Sequence, residues 1–598
     1  MTNSQSSKRV PFFALLITGL VFLASVAMAQ EKPRSLVPDL NKPDAPGSSQ
    51  NVPVVPSSNA VVTPGKKRVI EGRGIKGSLV VQTLGGLDAA SIGTLDSTSG
   101  GLGSNMWQGA SPERVLTLLK YLPVSRKSPQ MQELSRRLLL TAAAVPQGLE
   151  NPTELLQLRL GKLREAGLVS EAIALVNKIN PSQITPDLSM TAVNLMLLQG
   201  DITKACEEVD RGKEQSKAPF WIKLEVFCNV KAGNFEKAEL GVTLLDEQSQ
   251  KDALFFGLFD RLAGGKSELP QTDEPITPLH FAMLREGNLP ISYNKMQKSG
   301  YEFLWALAVE KSADKKERLR AAYRSLAIGS IPASLVRQLI IESAEKDDTG
   351  PVGRIASLYR QAFAEKDIAQ KPIPLKSLWE EAYRDGSYFA ASNLTLPMLE
   401  SVPASQTDDD FELDAVRNLL EAQDIPGAQN WERIVRRAAL RGTEEERNNA
   451  RRRITRVDAY MLISGTPGIA RWSGDSFDLG AFAETDALDK GENIGILLTV
   501  LEEFGETIPN DLWTKALNLG QVPRLSYANL VIEKNLEMAA EAGRVGETVA
   551  LALTVLGEGG PSQISTTTLA TVLSALKTIG MEKEARQLAL EAAILRDI

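Results

Sequence analysis

From Ser111 onward, apolar residues recur three or four positions apart, the spacing that gathers them on one side of an α-helix. In the first such stretch Val115, Leu116, Leu118, Leu119 and Leu122 form the apolar face, and Pro123 ends it. Ser111-Pro112-Glu113 supplies an N-cap followed by proline at the first helical position, and Ser128-Pro129 opens the next stretch in the same way. Helical stretches follow one another at intervals of about 15 residues with short joints. Before this region, Leu79 to Leu84 reads as a short strand and the Gly100, Gly101 and Gly103 cluster as a loop.

One phrase recurs within the helical pattern. "REAGLVSEAIALV", "LLQGDITKACEEV" and "VKAGNFEKAELGV" place Gly167, Gly200 and Gly233 at a constant spacing of 33 residues, each followed five residues later by an alanine, Ala172, Ala205 or Ala238. Glycine gives the left-handed conformation that ends one helix, and alanine lets the next helix cross it closely. Two looser copies stand near the end, "EAGRVGETVALAL" at Gly543 and "TIGMEKEARQLAL" at Gly580, the latter keeping its alanine as Ala585.

This repeat resembles the tetratricopeptide superfamily, whose roughly 34-residue unit has this glycine and alanine at the turn between two helices. The aromatic residues of that family's first helix are replaced here by residues such as Leu156, Val193 and Asn229. The resemblance implies an all-α fold, a helical-hairpin repeat solenoid of the TPR-like kind, and a role in protein–protein interaction as a scaffold or adaptor. A helical superhelix is also the frame on which some soluble lytic transglycosylases carry a lysozyme-like domain. Their catalytic glutamate followed by a glycine-rich element is not found, and Glu502 and Glu503 are its nearest imitation.

The N-terminus changes the setting. Lys8 and Arg9, the apolar run from Phe12 to Val26, and Ala27-Met28-Ala29 before Gln30 have the three parts of a signal peptide. Cleavage after Ala29 would send the protein to the periplasm of a Gram-negative cell with no stable membrane span; the competing reading is a retained anchor. The segment 30–65 carries Pro33, Pro38, Pro43, Pro46, Pro53, Pro56 and Pro64 among polar residues and reads as a disordered, semi-rigid tether. Residues 66–110 are rich in glycine with short apolar runs. Their glycines lack phosphate-loop spacing, and Val80, Leu84, Ile92, Leu95 and Trp107 are expected to cover the end of the helical stack. Residues 111–402 and 411–598 are then two helical-repeat lobes, with 403–410, ending in three aspartates, as the linker.

Composition narrows the chemistry. The net charge of −7, more negative by two without Lys8 and Arg9, gives no general attraction for nucleic acid. Of the two cysteines, Cys206 falls on the second helix of one repeat and Cys228 on the first helix of the next, at one level of an antiparallel pair. A disulfide is expected in an oxidising compartment, the alternative being two buried thiols on separate faces. Two cysteines with no histidine nearby cannot complete a metal shell, and no cofactor motif is present. The lone histidine, His280, reads as a packed side chain at a helix start; no catalytic triad or nucleophile elbow can be assembled around it.

One charge feature stands out. Arg433, Arg436, Arg437, Arg441, Arg447, Arg451, Arg452, Arg453 and Arg456 fall on two consecutive helices, the second opened by a Thr443–Glu446 capping box. Arg433, Arg436, Arg437, Arg447, Arg451, Arg452, Arg453 and Arg456 are the candidate contacts for an anionic partner, against the alternative that they pair with glutamates of neighbouring helices. The reading that follows is an exported, non-catalytic scaffold for a protein or peptide partner in the cell envelope. The alternatives are a peptidoglycan-binding or -processing enzyme and a structural part of an envelope machine such as a motility or secretion apparatus.

Overall fold

A computed structural model describes residues 88–598 apart from 125–126, 272, 344–349, 406–410, 470–478, 483–489 and 519–528. The expected signal peptide, the tether, the Leu79–Leu84 strand, Val80 and Leu84 of the covering segment, and residues 406–410 of the linker lie outside the described residues.

Among the described residues there are 27 α-helices and no strand, so the all-α expectation holds. The first group is α1 (Pro112–Lys120), α2 (Pro129–Leu140), α3 (Pro152–Glu165), α4 (Val169–Val176), α5 (Pro186–Gln199), α6 (Ile202–Glu207), α7 (Val209–Gln215), α8 (Pro219–Lys231) and α9 (Phe235–Glu247). Then come α10 (Ala253–Leu262), α11 (Pro278–Glu286), α12 (Tyr293–Ser299), α13 (Tyr301–Val309), α14 (Lys315–Ala327), α15 (Ala333–Glu342), α16 (Pro351–Ala364), α17 (Pro372–Asp385) and α18 (Tyr388–Ser401). The last are α19 (Phe411–Glu421), α20 (Ile425–Ala438), α21 (Glu444–Ser464), α22 (Lys490–Glu503), α23 (Asn510–Asn518), α24 (Leu530–Glu541), α25 (Val545–Leu556), α26 (Thr566–Thr578) and α27 (Glu582–Leu595). Proline at the start of many of them fixes φ where no intrahelical N–H bond is needed, and Ser111, Ser128, Thr185 and Thr277 cap by accepting a backbone N–H.

The repeated phrase forms helix pairs. Gly167, Gly200 and Gly233 have φ of 71°, 92° and 76°, and α3 packs on α4, α5 on α6 and α8 on α9. Ala172, Ala205 and Ala238 are wholly buried at the crossings. The later copies behave alike: Gly543 and Gly580 take φ of 68° and 81°, α24 packs on α25 and α26 on α27, and Ala585 is buried, with Thr548 in the alanine's place in the other copy. Two further pairs have the same geometry without the full phrase. Gly386 with Ala391 joins α17 to α18, and Gln423, at φ 60°, with Ala428 joins α19 to α20. Asp424 N–H reaches back to Leu419 C=O at 2.8 Å just as Asp201 N–H reaches Met196 C=O at 2.9 Å, so the turn is the same with glutamine standing where glycine is expected.

The glycine-rich segment packs on helices. Thr94 N–H and Leu95 N–H donate to Leu140 C=O, Ala142 N–H donates to Leu95 C=O, and a lone β-bridge links Leu95 to Thr141. A Cβ on Gly93 would lie 2.1 Å from Ala142 N, so the approach requires glycine. Arg159 of α3, 3% exposed, donates to the carbonyls of Leu139, Ala90, Ile92 and Thr141, and burial pulls its guanidinium down to about 10. Trp107 is buried against α25, where Gly546 N–H donates to Met106 C=O at 2.9 Å.

One buried apolar cluster runs through nearly the whole series, and each large side chain in it contributes about 1.5–3 kcal/mol. It crosses the expected linker: Trp379 of α17 stacks on Phe411 of α19 with centroids 5.4 Å apart, and Phe411 meets Trp431 of α20 edge-on at 5.5 Å. Helices far apart in sequence also meet, since α2 packs on α25 and α27 and α1 on α25. Charge fastens that meeting: buried Glu547 takes Arg114 at 2.6 Å and Arg544 at 2.7 Å, and Arg137 reaches Glu584 at 2.5 Å.

Candidate functional site

The arginine-rich pair α20–α21 is held by a small contact of Ala438, Ala439, Ala450 and Ile454 and by the Thr443–Glu446 capping box, which draws the Glu446 carboxyl below its ordinary value. Several candidate arginines are committed inside the protein. Arg436 pairs with Glu432 and, at 2.6 Å, with Asp458. Burial, reinforced by Glu432, pushes Asp458 up to about 6 in spite of Arg436. Arg456 holds Asp597 at 2.8 Å, which Arg417 also holds at 2.5 Å while donating to Tyr460 Oη. Arg447 donates to Gly442 C=O and Arg451 to Asn448, and Arg452 and Arg453 are half-buried and have partners of their own.

Arg433 and Arg437 are different. Both are exposed one turn apart on α20; among the described residues Arg433 donates only to Asn430 and Arg437 pairs with no carboxylate. They line a cleft of about 610 Å³ together with Trp431, Ile434, Pro403 and Glu400. The stripe continues past the helix into Leu440, 81% exposed, and exposed Arg441.

No protein-family model and no curated protein matches the chain. Its chemistry therefore rests on its own residues.

Cys206 of α6 and Cys228 of α8 form the expected disulfide, with Cα atoms 5.7 Å apart. The second helix of that repeat, expected as one, is broken at Glu208 into α6 and α7, and the bridge ties the first half to α8. His280 is 5% exposed: its Nδ1 accepts from Thr277 N–H at 3.2 Å and its Nε2 meets Asp252 at 3.1 Å, as expected of a packed histidine. Burial works against the Asp252 charge, but His280 and Lys223, the latter at 2.6 Å, hold its carboxyl well below the usual range. Among the described residues no group of three His, Cys, Asp or Glu is placed to hold a metal, and no helix is long and apolar enough to cross a membrane.

Sequence reasoning missed a carboxyl pair. Glu591 of α27 is wholly buried, accepting Gln130 N–H at 2.7 Å and the Ser128 hydroxyl, while Glu421 at the end of α19 has an Oε2 that is shut off from solvent and, among the described residues, accepts no hydrogen bond. Burial raises both carboxyls, Glu421 to about 8, and the Glu421 charge raises Glu591 further. Neither residue lines the cleft on α20. Two glutamates on apolar helix faces were a signal in the sequence, but a separation of 170 positions hid their meeting.

Proposed function

We propose that this chain is an exported, non-catalytic helical-repeat scaffold of the TPR-like kind that binds a protein or peptide partner in the periplasm. The observation that carries the reading is the exposed stripe Arg433, Arg437, Leu440 and Arg441 beside the cleft on α20. Arginines that pair with no carboxylate among the described residues, next to a large exposed apolar side chain and a cleft lined in part by Trp431, have the makeup of an interaction surface for an acidic peptide or protein segment. The helix pairs support it, because stacked hairpins offer extended surfaces to such partners. The apolar run at 12–26 and the disulfide agree with export to an oxidising compartment.

The test is affinity purification from the envelope fraction of the native cell under mild crosslinking, with an Arg433→Ala/Arg437→Ala variant in parallel. A stoichiometric protein held by the wild type and lost from the variant is the expected result. Cleavage of peptidoglycan by the purified protein, with no protein partner retained, would replace this reading with the cell-wall one.

A further inference from the structure

A second cleft, of about 410 Å³, opens between α2, the α3–α4 turn, the α14–α15 joint and α18, away from the arginine stripe. Its lining is mixed, with Leu139, Leu168, Ile331 and Phe389 beside Gln132, Glu133, Lys162 and Asn393, and its size suits a small molecule. Two charged groups on that lining keep a hydrogen-bonding position open, although Glu133, which pairs with Arg136, shares the lining. Glu171 of α4 has its Oε2 out of solvent and, among the described residues, accepting no hydrogen bond, an arrangement that is costly unless a donor is supplied. Arg136 of α2 gives its Nε and Nη2 to Glu133 at 2.8 and 3.0 Å, while its Nη1 makes no hydrogen bond among the described residues. Arg136 and Glu171 are close enough for the guanidinium to favour the glutamate's charge, although burial dominates and raises the Glu171 carboxyl.

An orphaned carboxylate oxygen, a guanidinium with a donor to spare and apolar side chains on the same lining are complementary to a molecule with a positive end, a negative end and an apolar body. We propose that this cleft binds a small zwitterion of the amino-acid or short-peptide class, its ammonium donating to Glu171 and its carboxylate accepting from Arg136. The apolar side chains of the ligand lie against Leu139, Ile331 and Phe389. The neighbouring ammonium of Lys162 donates to Leu122 C=O at 3.0 Å and to Glu165 at 2.8 Å, whereas the Nη1 of Arg136 is wholly unbonded among the described residues and is the anion contact proposed. This site is independent of the scaffold reading and stands or falls without it.

Titration calorimetry on the purified protein tests it with leucyl-leucine, its N-acetyl form and its C-terminal amide. Saturable one-to-one binding of leucyl-leucine is expected, weakened at least tenfold by N-acetylation or by Glu171→Gln, and several-fold by amidation or by Arg136→Gln. Binding also weakens as pH falls from 6.5 to 5, where the ligand's ammonium stays protonated, because burial raises the Glu171 carboxyl and it must be ionised to take the ammonium. Glu171→Gln removes a buried charge and is expected to unfold at the wild-type temperature or above, and the N-acetyl comparison needs no variant at all. Absence of saturable binding by all three compounds, or equal binding of the free and acetylated dipeptides, overturns the proposal. So does unchanged binding in a folded Glu171→Gln protein.

Discussion

Glu591 receives the backbone N–H of Gln130 at 2.7 Å across 461 residues of sequence, while its charge is opposed by Glu421. The contact joins α27 to the first turn of α2, and Ser128, the N-cap of α2, serves both sides by donating to Glu591 and accepting from Met131 N–H at 3.1 Å. It is a contact that favours protonated carboxyls.

Its pH dependence follows. A folded-state value raised above the unfolded one means that the native protein holds a proton which the unfolded chain releases. This contribution is fully present below about 4.5 and is lost as pH climbs towards about 8. Over that window the pair lowers stability by roughly 1.4 kcal/mol per pH unit for each such proton. Urea midpoints at pH 5, 6.5 and 8 measure it. Glu421→Gln is expected to flatten the decline, and a midpoint falling equally steeply in that variant would show that the pair is not its source.

Arg159 is a buried cation satisfied by carbonyls alone. Replacing it with methionine keeps much of the volume but orphans those carbonyls, which is expected to cost about 3 kcal/mol by chemical denaturation. Amide exchange in residues 88–110 rises in the same variant, because the segment loses its hold on α3.

At Gln423 the left-handed backbone strains a side chain that glycine would relieve. Gln423→Gly is expected to stabilise the protein by a few tenths to about 1 kcal/mol, after allowing for the greater entropy of unfolded glycine. Gly200→Ala goes the other way by at least about 1 kcal/mol, since its Cβ would also lie 2.5 Å from Arg285 Nη1. Thermal unfolding of the two variants side by side shows whether the turns are alike.

The Cys206–Cys228 bridge closes a loop with a sequence separation of 22. Its reduction, or Cys206→Ser with Cys228→Ser, is expected to remove ~3 kcal/mol and to lower the urea midpoint. Protease cleavage within α6–α8 should increase first, since the broken helix there has the fewest residues per segment.

The arginines divide into two groups by what they touch. Arg456→Ala breaks its bonds to Asp597 and is expected to cost ~1–2 kcal/mol of stability. Arg433→Ala and Arg437→Ala stay within about 0.5 kcal/mol of wild type, so any change they cause in partner retention reflects the surface itself. Parallel denaturation curves separate the two classes.

Legible in the chain alone were most of the helices, though not the break between α6 and α7, together with their caps, the glycine turns at Gly167, Gly200 and Gly233, the shared level of the two cysteines and the packed state of His280. All of these depend on residues within one helix hairpin or its immediate neighbour, where backbone conformation and helical spacing dictate the outcome. Tertiary structure alone decided that Gln423 adopts a turn expected of glycine, because the packing of Ala428 and the helices around it outweighs a local strain of about 1 kcal/mol. It alone decided which arginines are spent on Asp458 and Asp597 and which face solvent, and that Glu421 and Glu591 share one buried place. Such partners lie tens to hundreds of residues apart. Nothing in helical periodicity records them, because periodicity says which side of a helix is buried and not what it is buried against.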